Sequence, residues 1–267
     1  MRVLMDVLMN PVSEAAPMNP VSDARPINAV SDAVLMYPVA EVFRHEVKYY
    51  INEREAYILA QYFRRIMRLD RHAGSDGQYW IRSLYFDTQG NRDYHEKVNG
   101  LSERRKIRLR MYDTAAEIAN LECKNKRGAF VHKESLPLNK QHAARLIRGD
   151  WTFLLNLPHG AAHKLGVCVR SELLRPILII DYERQAFELP FENIRITIDR
   201  GLRAFIDTAR LYDKDAPSLR VPNEKGCILE VKYRHAIPDF LRSILSEIRL
   251  QDSSISKYVI CRQTLHI

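Results

Sequence analysis

Charged residues alternate with apolar residues in three segments of this chain, at residues 44–48, 106–110 and 230–232. Because successive side chains of a β-strand point to opposite faces, the charges of each segment share one face. Arginine offers a planar fork that matches phosphate oxygens, lysine supplies a compact positive charge, and carboxylates are hard oxygen ligands for Mg²⁺ or Mn²⁺. The pattern predicts a sheet whose charged faces converge on one polyanion together with a metal ion.

The candidate residues have charged side chains that would share such a face. They are Glu46, Lys48, Arg108, Arg110, Glu122, Lys124, Lys126, Lys133, Arg184, Glu230 and Lys232. Their surplus of cations would be costly to enclose without an anion, and a polyphosphate chain would neutralise it. The alternative is that pairs such as Glu122 with Lys124 are ordinary surface ion pairs, each worth under about 1 kcal/mol.

Composition narrows the class of protein. The chain has 267 residues, 46% of them hydrophobic, and a formal net charge of +8, which together indicate a sizeable core and an anionic partner. Nucleic acid is disfavoured because the basic residues alternate within strands and are not interleaved with exposed aromatic residues. The four cysteines form no CxxC pair, which favours a reducing cytoplasm over a disulfide framework or a zinc site. No apolar stretch approaches the roughly 18 residues of a membrane helix.

The chain divides into two parts by sequence pattern. Residues 1–40 contain a repeat of period nine with recurring prolines, which predicts a disordered tail. Residues 41–267 predict one α+β domain, in which about eight antiparallel strands close into a barrel with flanking helices. The predicted strands are 43–51, 81–87, 92–98, 104–112, 118–126, 129–136, 175–187, 194–200 and 226–233. The predicted helices are 53–68, capped by Asn52, then 140–148, one beginning at Pro238, and 254–265.

Eight short motifs occur in a fixed order along this domain. They are RHEVKY (44–49), SLYFDT (83–88), RRKIRLRMY (104–112), LECK (121–124), YER (182–184), TIDR (197–200), LEVKY (229–233) and SKY (256–258). Together they resemble the VTC domain, the polyphosphate polymerase module of the triphosphate tunnel metalloenzyme (CYTH-like) superfamily. The resemblance implies an antiparallel tunnel that binds a nucleoside triphosphate. It also implies transfer of the terminal phosphate of ATP to a growing polyphosphate chain, with Mn²⁺ or Mg²⁺ present.

The resemblance also implies roles for individual residues, beside those that the charge pattern indicates. By motif match, the phosphate-binding residues would be Lys48, Arg108, Arg110, Lys124, Arg184, Arg200 and Lys257, with Glu230 as the foremost metal ligand. We therefore assign the catalytic role to Lys48, Arg108, Arg110 and Arg184. Substrate binding is assigned to Lys106, Lys124, Lys126, Lys133, Arg200, Lys232 and Lys257. The predicted metal ligands are Glu230, Glu46 and Glu122.

One departure from the superfamily bears on the reaction. Its hydrolase and cyclase members begin with Glu-x-Glu-x-Lys, whereas Arg44 replaces the first of those glutamates here. A cation in place of a carboxylate weakens a two-metal hydrolase reading and is compatible with the polymerase branch. A triphosphate hydrolase and a non-catalytic polyphosphate-binding module stay open as alternatives. The sequence leaves the preferred nucleotide, the metal and the oligomeric state open.

Overall fold

The computed structural model describes residues 45–267 apart from 129, 223–224, 249 and 251–253. The predicted tail at 1–40 and Arg44 lie outside the described residues. Ten strands form one antiparallel sheet: β1 His45–Ile51, β2 Arg68–Leu69, β3 Gln78–Asp87, β4 Glu103–Met111, β5 Ile118–Arg127, β6 Phe130–Asn139, β7 Arg175–Leu189, β8 Ile194–Phe205, β9 Leu219–Arg220 and β10 Cys227–Tyr233. The helices are α1 Glu53–Ile66, α2 Arg92–Val98, α3 Lys140–Ile147, α4 Gly160–Glu172, α5 Asp239–Ser246 and α6 Lys257–Leu265. The predicted α+β class is confirmed.

The main strands follow the order β1-β10-β8-β7-β3-β4-β5-β6, while β2 pairs with β7 and β9 with β8. Within the described residues β6 and β1 are not hydrogen-bonded to each other, so the predicted closed barrel is not shown. Instead, the Lys124 ammonium of β5 contacts the Glu46 carboxylate of β1 at 2.7 Å. A side-chain ion pair therefore links β1, at one end of the sheet, to β5, the strand next to the other end.

The strand prediction for residues 92–98 is wrong, because this segment forms helix α2. The Asp87 carboxylate at the end of β3 accepts hydrogen bonds from the backbone N–H groups of Asp93 and Tyr94, at 3.0 and 3.1 Å. A carboxylate outside the segment thus satisfies first-turn donors that an isolated helix would leave unpaired. The prediction for α1 is confirmed, including its capping box of Asn52 and Glu55.

The helices pack on both faces of the sheet, and α6 lies on the charged face, where its Tyr258 joins an apolar cluster with Ile180. On the opposite face, α1 and α5 cover an apolar cluster on β1, β7, β8 and β10 that includes Phe63, Phe187 and Leu229. Helices α3 and α4 cover a second cluster on β4, β5 and β6, with Leu109 at its centre. The charged residues of the same strands alternate with these apolar ones and point the other way. Among the described residues, no helix is long and apolar enough to cross a membrane.

Candidate functional site

A cavity of about 570 Å³ lies on the charged side of the sheet. Most of the residues predicted for the site line it, and they come from five of the main strands and from α6. They are Glu46, Lys48, Lys106, Arg108, Arg110, Lys124, Lys126, Arg184, Glu230, Lys232 and Lys257. The alternation read from the sequence thus brings these side chains to one place.

Three predicted residues, Glu122, Lys133 and Arg200, do not line the cavity. Arg200 donates to Gln78 Oε1 at 3.0 Å, and its Nε lies 3.6 Å from a Glu53 oxygen at the start of α1. Lys133 is exposed and donates to Glu122 at 2.6 Å. The predicted substrate-binding roles of Arg200 and Lys133 therefore have no support from this geometry.

Glu122 anchors the arginine pair of β4. It accepts from Arg108 Nε at 2.7 Å through one oxygen and from Lys133 through the other, while Arg110 lies 3.8 Å away. Burial would raise the pKa of Glu122, but Arg108, Arg110 and Lys133 hold it well below its usual range. Since Glu122 does not line the cavity, the geometry favours a positioning role for Glu122 over the predicted metal ligation.

Asp199 organises the wall formed by β7, β8 and α6. The guanidinium of Arg184 donates to both Asp199 oxygens, at 2.6 and 2.7 Å, and Lys257 contacts the second oxygen at 2.6 Å. Burial opposes ionisation of Asp199, but Arg184 and Lys257 lower its pKa to about 2. Tyr182 lies beneath both cations and accepts from Arg110 at 3.1 Å. This wall is a paired, rigid arrangement of cations.

Glu46 and Glu230 form the acidic part of the cavity, on β1 and β10. The ammonium of Lys48 lies 2.9 Å from Glu46 and 3.6 Å from Glu230, and Glu230 also pairs with Lys232. Burial would raise the pKa of both carboxyl groups, but the surrounding lysines hold them well below their ordinary values. Both groups are therefore ionised.

These two carboxylates fit a substrate-bridged divalent cation, because Mg²⁺ commonly binds one or two carboxylates together with substrate phosphates. The described residues contain no group of three His, Cys, Asp or Glu that could hold a metal by itself. Glu46 and Glu230 would therefore hold a metal ion only jointly with phosphate oxygens.

The β4–β5 wall carries like charges directly opposite each other. Lys106 opposes Lys124, and Arg104 opposes Lys126. Opposed like charges destabilise a sheet. Burial, with repulsion from Lys48 and the other neighbouring cations, lowers the pKa of Lys106 well below its ordinary value. A bound polyanion would relieve this repulsion.

Several cavity residues were not predicted. Lys97 and Arg104 stand at the lysine-rich side, and burial with nearby cations lowers the pKa of Lys97 to about 8. Ser256 lines the cavity just before α6. Asp199 could have been found from the alternation of Thr197 and Asp199, which places Arg200 on the other face. Lys97 could not have been found in this way, because its position depends on helix α2.

Comparison with known proteins places the chain in a family. Residues 43–266 match the family model of the VTC domain, so the chain belongs to the VTC domain family, as its ordered motifs predicted. No curated protein matches the chain.

The solved structures to which the chain is similar are distant in sequence. HpAC1 from Hippeastrum, whose structure is titled as revealing a dominant triphosphatase activity, is 12% identical, with 83% of this chain and 95% of that chain covered and a TM-score of 0.47. The PH1819 protein from Pyrococcus horikoshii OT3 is 12% identical, with coverage of 83% and 99% and a TM-score of 0.44.

Proposed function

We propose that this domain is an ATP-dependent polyphosphate polymerase. It would transfer the terminal phosphoryl group of ATP to a growing polyphosphate chain inside the cationic cavity, with Mn²⁺ or Mg²⁺ as the cofactor. Membership of the VTC family supports a reaction of phosphate chains. The free, buried thiols of Cys227 and Cys261 fit a reducing cytoplasm.

The observation that carries the proposal is the β4–β5 wall. Lys106 and Lys124 face each other on neighbouring strands, and both line the cavity. Such a pair has a cost in the empty protein and becomes favourable when a multiply charged anion lies between the two ammonium groups. A linear polyphosphate supplies one negative charge or more at each phosphate, which suits a row of cations.

Fixed cations would do most of the catalytic work. Arg108, Arg110, Arg184 and Lys48 would hold the triphosphate and stabilise the charge that spreads over the transferring phosphoryl group. Their own partners, Glu122 and Asp199, keep the guanidinium groups oriented before substrate arrives. A divalent metal ion held by Glu46 and Glu230 would neutralise further phosphate charge. No general base is needed when the attacking group is the anionic oxygen of a terminal phosphate.

The test is incubation of the protein with ATP and Mn²⁺ or Mg²⁺, with products resolved on a polyphosphate gel and by a free-phosphate assay. We expect a ladder of chains. Arg108→Ala should lower the rate about 10²–10³-fold, the range seen when one fixed transition-state donor is removed. Arg54→Ala is the matched control, because Arg54 is exposed on α1 and lies outside the cavity.

Each other outcome points to a different function. Free phosphate without chains would identify a triphosphate hydrolase. Tight tripolyphosphate binding without turnover would identify a binding module. Full activity in Arg108→Ala would overturn the assignment of the cavity.

A further inference from the structure

Lys106 and Ser256 form a close pair inside the cavity. Lys106 Nζ lies 2.8 Å from Ser256 Oγ, and both residues line the cavity. Ser256 is 7% exposed and is the N-cap residue of α6, yet its hydroxyl makes no capping hydrogen bond to the helix backbone. The hydroxyl is therefore directed to the lysine instead of serving the helix.

Lys106 differs from the other lysines at the centre of the cavity. Lys48, Lys124, Lys232 and Lys257 each contact a carboxylate within 4 Å. Lys106 contacts no carboxylate in the part of the chain that the structure describes, and its hydrogen bond is to a hydroxyl. Burial and the neighbouring cations lower its pKa well below the ordinary value. A lysine nitrogen within hydrogen-bond distance of a buried hydroxyl has the geometry of a general base and its nucleophile.

We propose that Ser256 is a phosphoryl acceptor and that Lys106 is its general base, so that the domain phosphorylates itself on Ser256 and the phosphoserine starts a covalently attached chain. This inference rests on the proposed function, since it uses the same triphosphate donor.

The step balances in atoms and charge. Ser256 Oγ forms a bond to the terminal phosphorus of the donor. The bond from that phosphorus to the bridging oxygen breaks, and the diphosphate product leaves with the electron pair. The proton of the Ser256 hydroxyl moves to Lys106 Nζ, which becomes an ammonium group.

The surroundings of Ser256 suit a phosphate ester. The new phosphate would lie at the N-terminus of α6, where backbone N–H groups favour negative charge. Lys257, the next residue, is held in place by Asp199 at 2.6 Å, and the protonated Lys106 would provide a second cation. The product would therefore be stabilised where it forms.

A second lysine–serine pair provides an internal control. Lys97 Nζ lies 2.5 Å from Ser254 Oγ, and Ser254 also lines the cavity. Ser254 is exposed, whereas Ser256 is buried beside the central cations. If phosphorylation merely follows proximity to a lysine, Ser254 should be modified as well.

The experiment uses ATP labelled in its terminal phosphate, with Mn²⁺ or Mg²⁺, followed by denaturation and phosphopeptide mapping. We expect acid-stable, alkali-labile label on the peptide that contains Ser256, both in the wild-type protein and in Ser254→Ala. Ser256→Ala should carry no label, and Ser256→Thr should carry phosphothreonine at the same position. Lys106→Arg, which keeps the charge but cannot accept a proton, should lose about 100-fold in labelling rate, within the range for a lost general base.

Several results would overturn the inference: no label on the wild-type protein, label that persists in Ser256→Ala, label on Ser254, or an unchanged rate in Lys106→Arg. The turnover assay on the same samples separates the two proposals. Chain synthesis without phosphoserine overturns only the self-phosphorylation, phosphoserine without chain growth overturns only the polymerase, and the absence of both overturns both. Thermal melting of each variant shows whether it has folded.

Discussion

Two walls of the cavity use cations in opposite ways. On the β7–β8–α6 wall, Arg184 and Lys257 share the buried Asp199, so each of these cations already contacts a carboxylate. On the β4–β5 wall, Lys106 opposes Lys124 and like charges remain side by side. The first wall has its geometry set before substrate arrives, whereas on the second Lys106 contacts no carboxylate among the described residues. The difference suggests that one wall orients the substrate and the other supplies most of the attraction for it.

The largest expected effect comes from removing the shared carboxylate of the β7–β8–α6 wall. Asp199→Asn leaves Arg184 and Lys257 without their shared counter-ion, and removal of one partner of a buried ion pair should lower the free energy of unfolding by about 3 kcal/mol. The folded-state pKa of about 2 lies below the unfolded value near 3.9, so this contribution is complete above about pH 4 and is lost as the pH falls toward 2.

Urea unfolding at several pH values measures this prediction. Asp239→Asn is the matched control, because the Asp239 side chain is 94% exposed. A loss of stability for Asp199→Asn no greater than that of the control, or a gap between wild type and variant that widens below pH 4, would contradict it.

An intermediate effect is expected at Lys97, which stands with Arg104 at the lysine-rich side of the cavity. The pKa of Lys97 is about 8 in the empty protein, and a bound polyanion would raise it. Binding then takes up a proton above pH 8. By linkage, this one group should make tripolyphosphate affinity about tenfold weaker at pH 9 than at pH 7. Lys97→Arg stays charged at both values and should lack that part of the pH dependence.

Calorimetric titration of both proteins with tripolyphosphate in the absence of metal gives the comparison directly. The ionisation of tripolyphosphate itself is common to the two proteins and cancels. Identical pH profiles would show that Lys97 takes no part in binding.

The smallest expected effect distinguishes the two walls by the sign of the change in stability. Lys106→Met removes an opposed like charge and should raise the stability of the empty protein by about 0.5 kcal/mol, while it weakens tripolyphosphate binding. Lys232→Met removes a partner of Glu230 and should lower stability instead. Urea unfolding without ligand measures both variants, and changes of the same sign would refute the contrast.

Period-two alternation accounts for most of what the sequence predicted about the site. Glu46 with Lys48, and Arg108 with Arg110, were placed on shared faces correctly because strand geometry is local. The same rule places Asp199 and Arg200 on opposite faces of their strand. The motif match led to Arg200, which lies on the face that points away from this cavity. The alternation of side chains between the two faces of a strand should therefore be applied to each residue within a motif, as well as between motifs.

The misses came from interactions between distant residues. Helix α2 begins where the Asp87 carboxylate accepts first-turn N–H groups, and Asn91, its N-cap, makes no side-chain cap of its own. No residue within 92–98 indicates that Asp87 supports a helix there. The contact between β1 and β5 likewise includes an ion pair between Glu46 and Lys124, which a count of strands cannot reveal.

The strand order has a consequence for how the domain is made. Strand β1 precedes the other described strands in the chain, yet within the described sheet it pairs with β10, the last of them. During synthesis β1 must wait with its edge unpaired until almost the whole domain has left the ribosome, a pairing of high contact order. Glu46 and Glu230 lie on these two strands. The carboxylate pair is thus completed only after β10 has been made, so a chain that stops before β10 cannot assemble the acidic part of the cavity.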